Sequence, residues 1–259
     1  MLGRRALFCS SLRTDLPLGA ERSSRVKEKY VNTAPPRIVA LLPMKHTSER
    51  VPGKNYRDFH GLPLFKHVLR TLQSCVSISE IVIDTDSEVI SSLATGEKKV
   101  RVVRRPEHLL GGHVPMNAII EHDIKLVEAD YYFQTHSTNP LLRSSTISTF
   151  ISRFLAAQDQ HDTAFTVTER KQRFWTHLAR AVNHDPAVLL NTQDLQGLME
   201  ENSCGYLFSA ETFLRKHNRI GDRPMLFSID PIESVDIDTE QDFLIAQAIY
   251  SIVSREAVK

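Results

Sequence analysis

The stretch IVALLPMKHTSERVPGKN, residues 38–55, decides how this chain folds. Its aliphatic start, residues 38–42, predicts a buried strand. A polar loop with a Pro-Gly turn follows, and its cations are Lys45, Arg50 and Lys54. A charged run is usually a solvated face. Directly after a buried strand, however, backbone N–H groups and cations can both offset phosphate charge, which favours a nucleotide triphosphate site here.

Beyond this stretch, short apolar runs alternate with longer amphipathic segments. The runs predict further strands at residues 81–83, 100–103, 131–133, 164–167, 206–209 and 225–229. Helical periodicity predicts helices at residues 64–72, 88–93, 116–127, 146–157 and 239–253. Strands that alternate with helices indicate the α/β class, with a mostly parallel, Rossmann-like sheet between two helical layers.

The composition limits the classes of partner. The 259 residues include 32 Lys+Arg against 31 Asp+Glu, a net charge of +1, so no basic face for nucleic acid is expected. No apolar run reaches the length of a membrane span, so no membrane partner is expected. The three cysteines, Cys9, Cys75 and Cys204, form neither a disulfide framework nor a zinc pattern.

The first 35 residues differ from the rest of the chain. Before Asp15 they carry three arginines, two serines and no acid, which is typical of an organelle transit peptide. A disordered arm is the alternative interpretation. We expect a single folded domain over residues 36–259, and a cytoplasmic location, or an organellar one if the arm is a transit peptide.

Two acids near the end of the chain are candidate metal ligands. Asp236 and Asp238 are separated by one residue, so in a strand their side chains point to the same side. Paired carboxylates suit Mg²⁺, which prefers oxygen ligands, and Mg²⁺ is the predicted cofactor. An acidic cluster at a helix N-terminus explains the pair equally well, because Thr239 and Asp242 have the spacing of a capping box.

Two further polar segments follow predicted strands, at the same expected edge of the sheet. Residues 134–140, QTHSTNP, are uncharged and suit hydrogen bonding to a sugar or a base. The pair Arg104-Arg105 suits a phosphate or a nucleobase carbonyl, although a surface arginine pair is the commoner explanation. Neither segment identifies a ligand by itself.

Taken in order, these motifs resemble the acylneuraminate cytidylyltransferases, the CMP-sialic acid synthetases. Members of that family open with P-A-R-x-G-S-K-x-x-P-x-K-N, and the matching positions here are Pro43, Ser48, Pro52, Lys54 and Asn55. Related middle and late motifs occur as QTHSTNPLLR at 134–143, NSCGY at 202–206 and DID at 236–238. The chain is a divergent member by this comparison, since Lys45 replaces an arginine and Glu49 a lysine.

The resemblance implies a three-layer nucleotidyltransferase fold with a small extension, residues 170–200, that forms a homodimer. It implies the transfer of CMP from CTP to a sialic-acid-like 2-keto sugar acid, with pyrophosphate released. The residues implied at the nucleotide are the cations Lys45, Arg50 and Lys54 together with Pro43, Ser48, Asn55 and Arg105. Those implied at the sugar are Gln134, Asn202 and Tyr206, and Asp236 and Asp238 are implied at Mg²⁺.

Two alternatives to this function remain. One is a nucleotidyltransferase that uses another base or sugar. The other is a non-catalytic nucleotide-binding regulatory protein, because Glu49 stands at a cation position of the family motif and Gly112 where members usually have a polar residue.

Overall fold

The computed structural model describes residues 34–256. The arm expected at residues 1–35 lies almost entirely outside the described residues. The residues from Pro36 onward form one compact unit. Within the described part, none of the helices combines the length and the apolar composition that crossing a lipid bilayer requires.

The described residues form nine strands and six α-helices. The strands are β1 (Ile38–Leu41), β2 (Asp58–Phe59), β3 (Leu62–Pro63), β4 (Ile78–Thr85), β5 (Val100–Arg104), β6 (Tyr131–Gln134), β7 (Thr163–Arg170), β8 (Leu198–Phe208) and β9 (Pro224–Ser228). The helices are α1 (Leu64–Ser74), α2 (Glu88–Ala94), α3 (Met116–Leu126), α4 (Ser144–Ala156), α5 (Ala210–Lys216) and α6 (Glu240–Glu256).

Seven strands form the central sheet, in the order β5-β4-β1-β6-β8-β7-β9. The strands β5, β4, β1 and β6 are parallel, whereas β8 runs antiparallel to both of its neighbours. The prediction of a mostly parallel sheet is therefore confirmed. The strand β1 lies inside the sheet, between β4 and β6, so the loop that leaves its carboxyl end opens between these two strands.

Period-two alternation in β1 separates the two faces of the sheet. Ile38 and Ala40 pack with the apolar sides of α1, α2 and α4, whereas Val39 and Leu41 pack with α3 and α5. Because every residue of β1 is buried, the strand is apolar throughout, as expected for a strand covered on both faces. The arrangement confirms the predicted three layers.

A third apolar cluster fastens the last helix over the basic loop. Val51 of the loop, Ile237 of the segment before α6, and Phe243 of α6 are all fully buried in it. Burial of side chains of this size contributes about 1.5–3 kcal/mol each. This cluster therefore brings the loop after β1 and the acids on either side of Ile237 to the same place.

The structure corrects three details of the prediction. Residues 235–238 form an irregular segment before α6, so the paired acids do not lie on a strand. The excursion predicted at 170–200 covers only 171–197, because both ends of the predicted range pair in β7 and β8. The short helix α5 was not predicted; the Ser209 hydroxyl caps it by accepting from the Thr212 N–H.

Candidate active site

The loop after β1 is held in shape by its own backbone and by Asn55. Gly53 has φ +65°, and a Cβ there would lie 2.9 Å from the Tyr56 ring, so only glycine fits this turn without strain. The buried Asn55 side chain donates to the Lys45 carbonyl at 2.8 Å and accepts from the Ser137 hydroxyl at 2.7 Å. Asn55 thus ties the two ends of the loop together and to the segment after β6.

The cations of this loop meet the late acids. The Arg50 guanidinium donates to the Asp238 carboxylate at 2.7 Å, and the Lys54 ammonium donates to the Ile237 carbonyl at 2.6 Å. The Lys54 ammonium also lies 3.8 Å from Asp238. Burial lowers the pKa of Lys54, while Asp238 and then Asp236 oppose that shift. The structure therefore brings the two predicted groups into one cleft.

Asp236 and Asp238 form an oxygen-rich pair at this cleft. Burial raises the pKa of Asp236, and the neighbouring negative charge of Asp238 raises it further. A hydrogen bond from Thr138 lowers it and opposes both effects. A divalent cation would relieve this repulsion, and carboxylate oxygens are the donors that Mg²⁺ prefers. The residues present fit Mg²⁺.

Two adjoining cavities lie at the carboxyl edge of β1. One, of about 220 Å³, is lined among others by Pro43, Arg105, Met116 and His136, and the other, of about 300 Å³, by Ser48, Glu49 and Arg50. Both cavities are lined by Lys45, Lys54, Asn55 and Gly112. The shared walls make one cleft with room for a bound nucleotide and its phosphates.

The residues predicted to contact nucleotide take up different positions in this cleft. Lys45 and Arg50 are exposed and can reach a ligand directly. Pro43 and Asn55 are buried in the walls, and the Ser48 hydroxyl accepts from the Val51 N–H at 3.4 Å. These three residues shape the loop.

Arg105 is also buried in the cavity wall, and its Nη2 donates to the Asp84 carbonyl at 3.2 Å.

The three predicted sugar contacts are mostly engaged within the protein. Gln134 and Tyr206 are fully buried cross-strand partners in β6 and β8. The Asn202 amide bonds the hydroxyls of Thr166 at 2.6 Å and Thr168 at 3.0 Å, next to an irregularity in the β7–β8 register. Gln134 and Tyr206 are therefore too deeply buried to offer a surface to a sugar, whereas Asn202 is half-buried with its amide engaged by the two threonines.

Arg219, which sequence reasoning missed, contacts both Gln134 and Tyr206. Its guanidinium stacks 3.6 Å from the centroid of the Tyr206 ring and donates to the Gln134 side-chain oxygen at 2.5 Å. Burial lowers the pKa of Arg219, with Tyr206 and Glu201 opposing the shift, but a guanidinium stays charged at neutral pH. No motif marks this arginine, because only the folding of the chain after α5 brings it to β6.

His136 lies near two cations, Lys54 and Arg219. Its ring lines the 220 Å³ cavity, and Nε2 lies 3.2 Å from the Gln134 amide nitrogen. Burial first, then the charges of Arg219 and Lys54, lower the pKa of His136 to about 4. The imidazole is thus neutral at physiological pH and lies within electrostatic reach of both Lys54 and Arg219.

A larger cavity of about 520 Å³ lies elsewhere, lined by Arg37, Arg101 and residues 126–130. These residues stand at the amino-terminal ends of β1, β5 and β6, away from the carboxyl edge where α/β sheets bind ligands. The cleft at the basic loop is therefore the better candidate site.

Comparison with known proteins shows what this chain is similar to. A family model described as cytidylyltransferase matches residues 39–251. The chain is 25% identical to N-acylneuraminate cytidylyltransferase A of Danio rerio over 219 residues, which are 81% of this chain and 50% of that protein. It is 22% identical to pseudaminic acid cytidylyltransferase of Campylobacter jejuni over 229 residues, 83% of this chain and 96% of that protein.

A solved structure shows the same fold. CMP:2-keto-3-deoxy-manno-octonic acid synthetase, complexed with CTP, superposes with a TM-score of 0.60 at 16% identity, covering 83% of this chain and 98% of the other. At this identity the match bears on the fold alone.

Proposed function

The chain belongs to the cytidylyltransferase family, and on that premise we propose that it transfers CMP from CTP to a nine-carbon 2-keto sugar acid. The anomeric hydroxyl oxygen attacks the α-phosphorus, the bond to the β-phosphate oxygen breaks, and pyrophosphate leaves. The hydroxyl proton passes to solvent. Positioning and charge neutralisation supply most of the rate in such a transfer.

The single observation that carries this proposal is the convergence of Arg50 and Lys54 on Asp238. Arg50 and Asp238 are both half exposed, so their ion pair is worth only about 0–1 kcal/mol. Arg50 can therefore exchange the carboxylate for a phosphate at little cost. Together with Lys45, these cations would bind the triphosphate and the departing pyrophosphate.

Asp236 and Asp238 would hold Mg²⁺ in this proposal. A bound Mg²⁺ supplies neutralisation of phosphate charge and lowers the pKa of a nearby hydroxyl. Lys54 then keeps two roles of its own. It anchors the segment between the acids through the Ile237 carbonyl, and it offers a charge to phosphate oxygens.

Arg219 is the residue that we assign to the carboxylate of the sugar acid. Its flat guanidinium matches a carboxylate in geometry, and the Tyr206 ring and the Gln134 amide hold it in place. Gln134 and Tyr206 thus act at the sugar through Arg219. This assignment favours an acidic sugar over a neutral one as the substrate class.

The excursion at 171–197 supports the homodimer implied by the family resemblance. It exposes large apolar side chains, including Trp175, Leu178, Val188 and Leu189. Clustered exposed apolar residues mark a protein–protein interface more often than a free surface. We propose that two copies of the chain cover these residues mutually.

The alternative, a non-catalytic nucleotide-binding protein, draws on Glu49. This acid lines the 300 Å³ cavity, and its Oε1 lies 4.0 Å from the position of a Cβ on Gly112. A negative charge there weakens the binding of a triphosphate and offers no help in transfer.

Pyrophosphate release, measured for four nucleoside triphosphates with a panel of sialic-acid-like, pseudaminic-acid-like and eight-carbon keto sugar acids, tests the proposal. We expect release with CTP and a nine-carbon acid, whereas release with an eight-carbon acid alone would show that the substrate is a different sugar acid. Release with another nucleoside triphosphate instead of CTP would show that the protein uses a different base. Measurable CTP binding with no release from any pair would favour the regulatory protein.

A further inference from the structure

A buried charge cluster lies behind the nucleotide cavity, between the end of β4 and α3. Asp84 and Asp123 expose 0% of their surface, and Arg105 beside them is nearly as buried. The Arg105 Nε donates to the Asp84 carboxylate. Three buried groups thus carry two formal negative charges and one positive charge.

Asp123 is the unusual member of this cluster. Among the described residues, neither of its carboxylate oxygens has a hydrogen-bond partner. The Oδ2 atom of Asp84 has none among them either. One ligand atom each of Asp84, Asp123 and His122 lie within 4.8 Å of one another. Two carboxylates this close do not both ionise, and a buried oxygen without a donor is costly. A single proton would supply the missing donor and bring the charge of the three buried groups to zero.

The titratable and charged groups that face Asp123 come from three elements. Asp84 faces it from β4, Arg105 from the segment after β5, and half-buried His122 belongs to α3 itself. Burial, and then the charge of Asp84, raise the pKa of Asp123 to about 9, against the opposing charge of Arg105. The proton therefore stays on the pair at neutral pH.

We propose that Asp84 and Asp123 share one proton, and that this singly protonated pair, whose remaining negative charge balances Arg105, positions Arg105 in the wall of the nucleotide cavity. Met116 and Ile119 of α3 line the same cavity. When the proton is lost, repulsion between the two carboxylates separates α3 from β4 and deforms that wall. The link to nucleotide binding rests on the proposed use of CTP, whereas the shared proton does not.

The shared proton predicts a particular pH dependence of folding. Folded Asp123 keeps its proton up to about pH 9, whereas in the unfolded chain it is released near pH 4. The unfolded state binds fewer protons between these values, so the stability contributed by the proton is complete at low pH and is lost as pH rises. The unfolding constant then gains up to about tenfold per pH unit from this group.

Urea denaturation of the full chain at pH 6 and pH 8 measures this gain. Asp123→Asn keeps the shape and stays neutral, so the ratio of the wild-type to the variant unfolding constant rises about a hundredfold between these two values. Asp159→Asn, at an exposed aspartate after α4, keeps a constant ratio. If Asp123→Asn behaves like this control, there is no shared proton.

A measurement on the wild-type chain covers the case in which Asp123→Asn does not fold. Carbon NMR of labelled aspartate carboxyls, followed from about pH 5 to pH 10, reports each proton directly. One aspartate is expected to titrate well above pH 7. Titration of every aspartate below about pH 6 would overturn the proposal.

The position of Arg105 is tested by the Kd of CTP. Asp84→Asn removes the charge that holds Arg105, so we expect the Kd to rise about tenfold at pH 7, the loss of one charge-assisted hydrogen bond. Between pH 7 and pH 9 the wild-type Kd also rises, and Asp123→Asn reduces that rise. An unchanged Kd in Asp84→Asn would remove the positioning role.

Two further outcomes separate the possible causes. If the wild-type chain binds no CTP under any condition, the proposed function fails, and the pH dependence of unfolding still decides the shared proton. If Mn²⁺ or Zn²⁺ alone raises the Tm of the wild-type chain but not of Asp123→Asn, a cation occupies the place of the proton and the proposal is wrong.

Discussion

The Arg50 guanidinium lies 2.7 Å from the Asp238 carboxylate, although 188 positions of chain separate the two residues. The contact joins the loop after β1 to the segment before the last helix. It is made possible by the apolar cluster of Val51, Ile237 and Phe243 beneath it. The site is therefore closed by packing, while the exposed ion pair itself stays free to exchange partners.

Asp238→Ala is predicted to abolish most catalysis and to leave the fold intact. Loss of a charge-stabilising contact in the transition state costs on the order of a hundredfold in rate. The half-exposed pair with Arg50 contributes about 0–1 kcal/mol to stability, so unfolding changes little. Pyrophosphate release with CTP and the sugar acid measures the effect, and Asp159→Ala is the control. Near-normal turnover would end the assignment of Asp238 to Mg²⁺.

Lys54→Ala is predicted to raise the CTP concentration needed for half-maximal rate. A charge-assisted contact to phosphate is worth about 1.5–3 kcal/mol, which corresponds to roughly ten- to hundredfold. Lys98→Ala removes an exposed lysine between α2 and β5, at the opposite edge of the sheet, and serves as the control. Unaltered CTP dependence in Lys54→Ala would contradict a phosphate role.

Arg219→Lys is predicted to raise the KM for the sugar acid about tenfold or more with little change in the KM for CTP. Lysine keeps the charge but loses the bidentate geometry and the stacking on Tyr206. Steady-state kinetics with each substrate varied in turn measures the difference. Arg215→Lys, an exposed arginine of α5, is the control. Equal effects on both substrates would argue against a specific carboxylate contact.

His136→Gln is predicted to stabilise the fold at acidic pH relative to the wild type. Folded His136 is neutral down to about pH 4, whereas the unfolded side chain binds a proton below about pH 6.5. The stability that this neutral side chain contributes is complete above pH 6.5 and is lost as pH falls. The unfolding equilibrium constant then increases by up to about tenfold for each pH unit. Urea denaturation at pH 5 and pH 7 measures the loss. His113→Gln, at an exposed histidine, is the control and should lose as much stability between pH 7 and pH 5 as the wild type. If His136→Gln loses that same amount, His136 is not held neutral in the folded chain.

Leu189→Asp is predicted to shift the chain from dimer to monomer. Leu189 of the excursion is 91% exposed, so an added charge is tolerated by the monomer but not inside an apolar interface. Sedimentation velocity across a range of protein concentrations measures the change. Val76→Asp, at a residue that is 95% exposed outside the excursion, controls for the added charge. A monomeric wild-type chain would refute the dimer directly.

The order of the elements was predictable because each depends on local pattern. The helix at residues 64–72 and the strand at 38–42 follow from spacing of apolar side chains within a few residues. The Thr239–Asp242 capping box is confirmed for the same reason, with the Thr239 N–H donating to Asp242 at 2.8 Å. The two-residue strands β2 and β3 were missed, since segments so short carry no periodicity.

The candidate site was only partly predictable. The basic loop and the paired acids were visible as charges at fixed spacing, the family motif marked Asn55, and Arg105 stood out as one of an arginine pair after a predicted strand. The sequence left two interpretations of the paired acids open, a strand and the start of a helix, and the structure shows an irregular segment at 235–238 just before α6, with Ile237 packed on the loop.

The sequence by itself determined the α/β class, the buried strand at residues 38–42 and the position of the basic loop after it, because these depend on neighbours along the chain. Only the tertiary structure decided that Arg219 stacks on Tyr206 and that Asp123 lies against Asp84. The physical reason is that burial and pairing between distant residues depend on which faces of the sheet and helices meet. No local pattern carries that information.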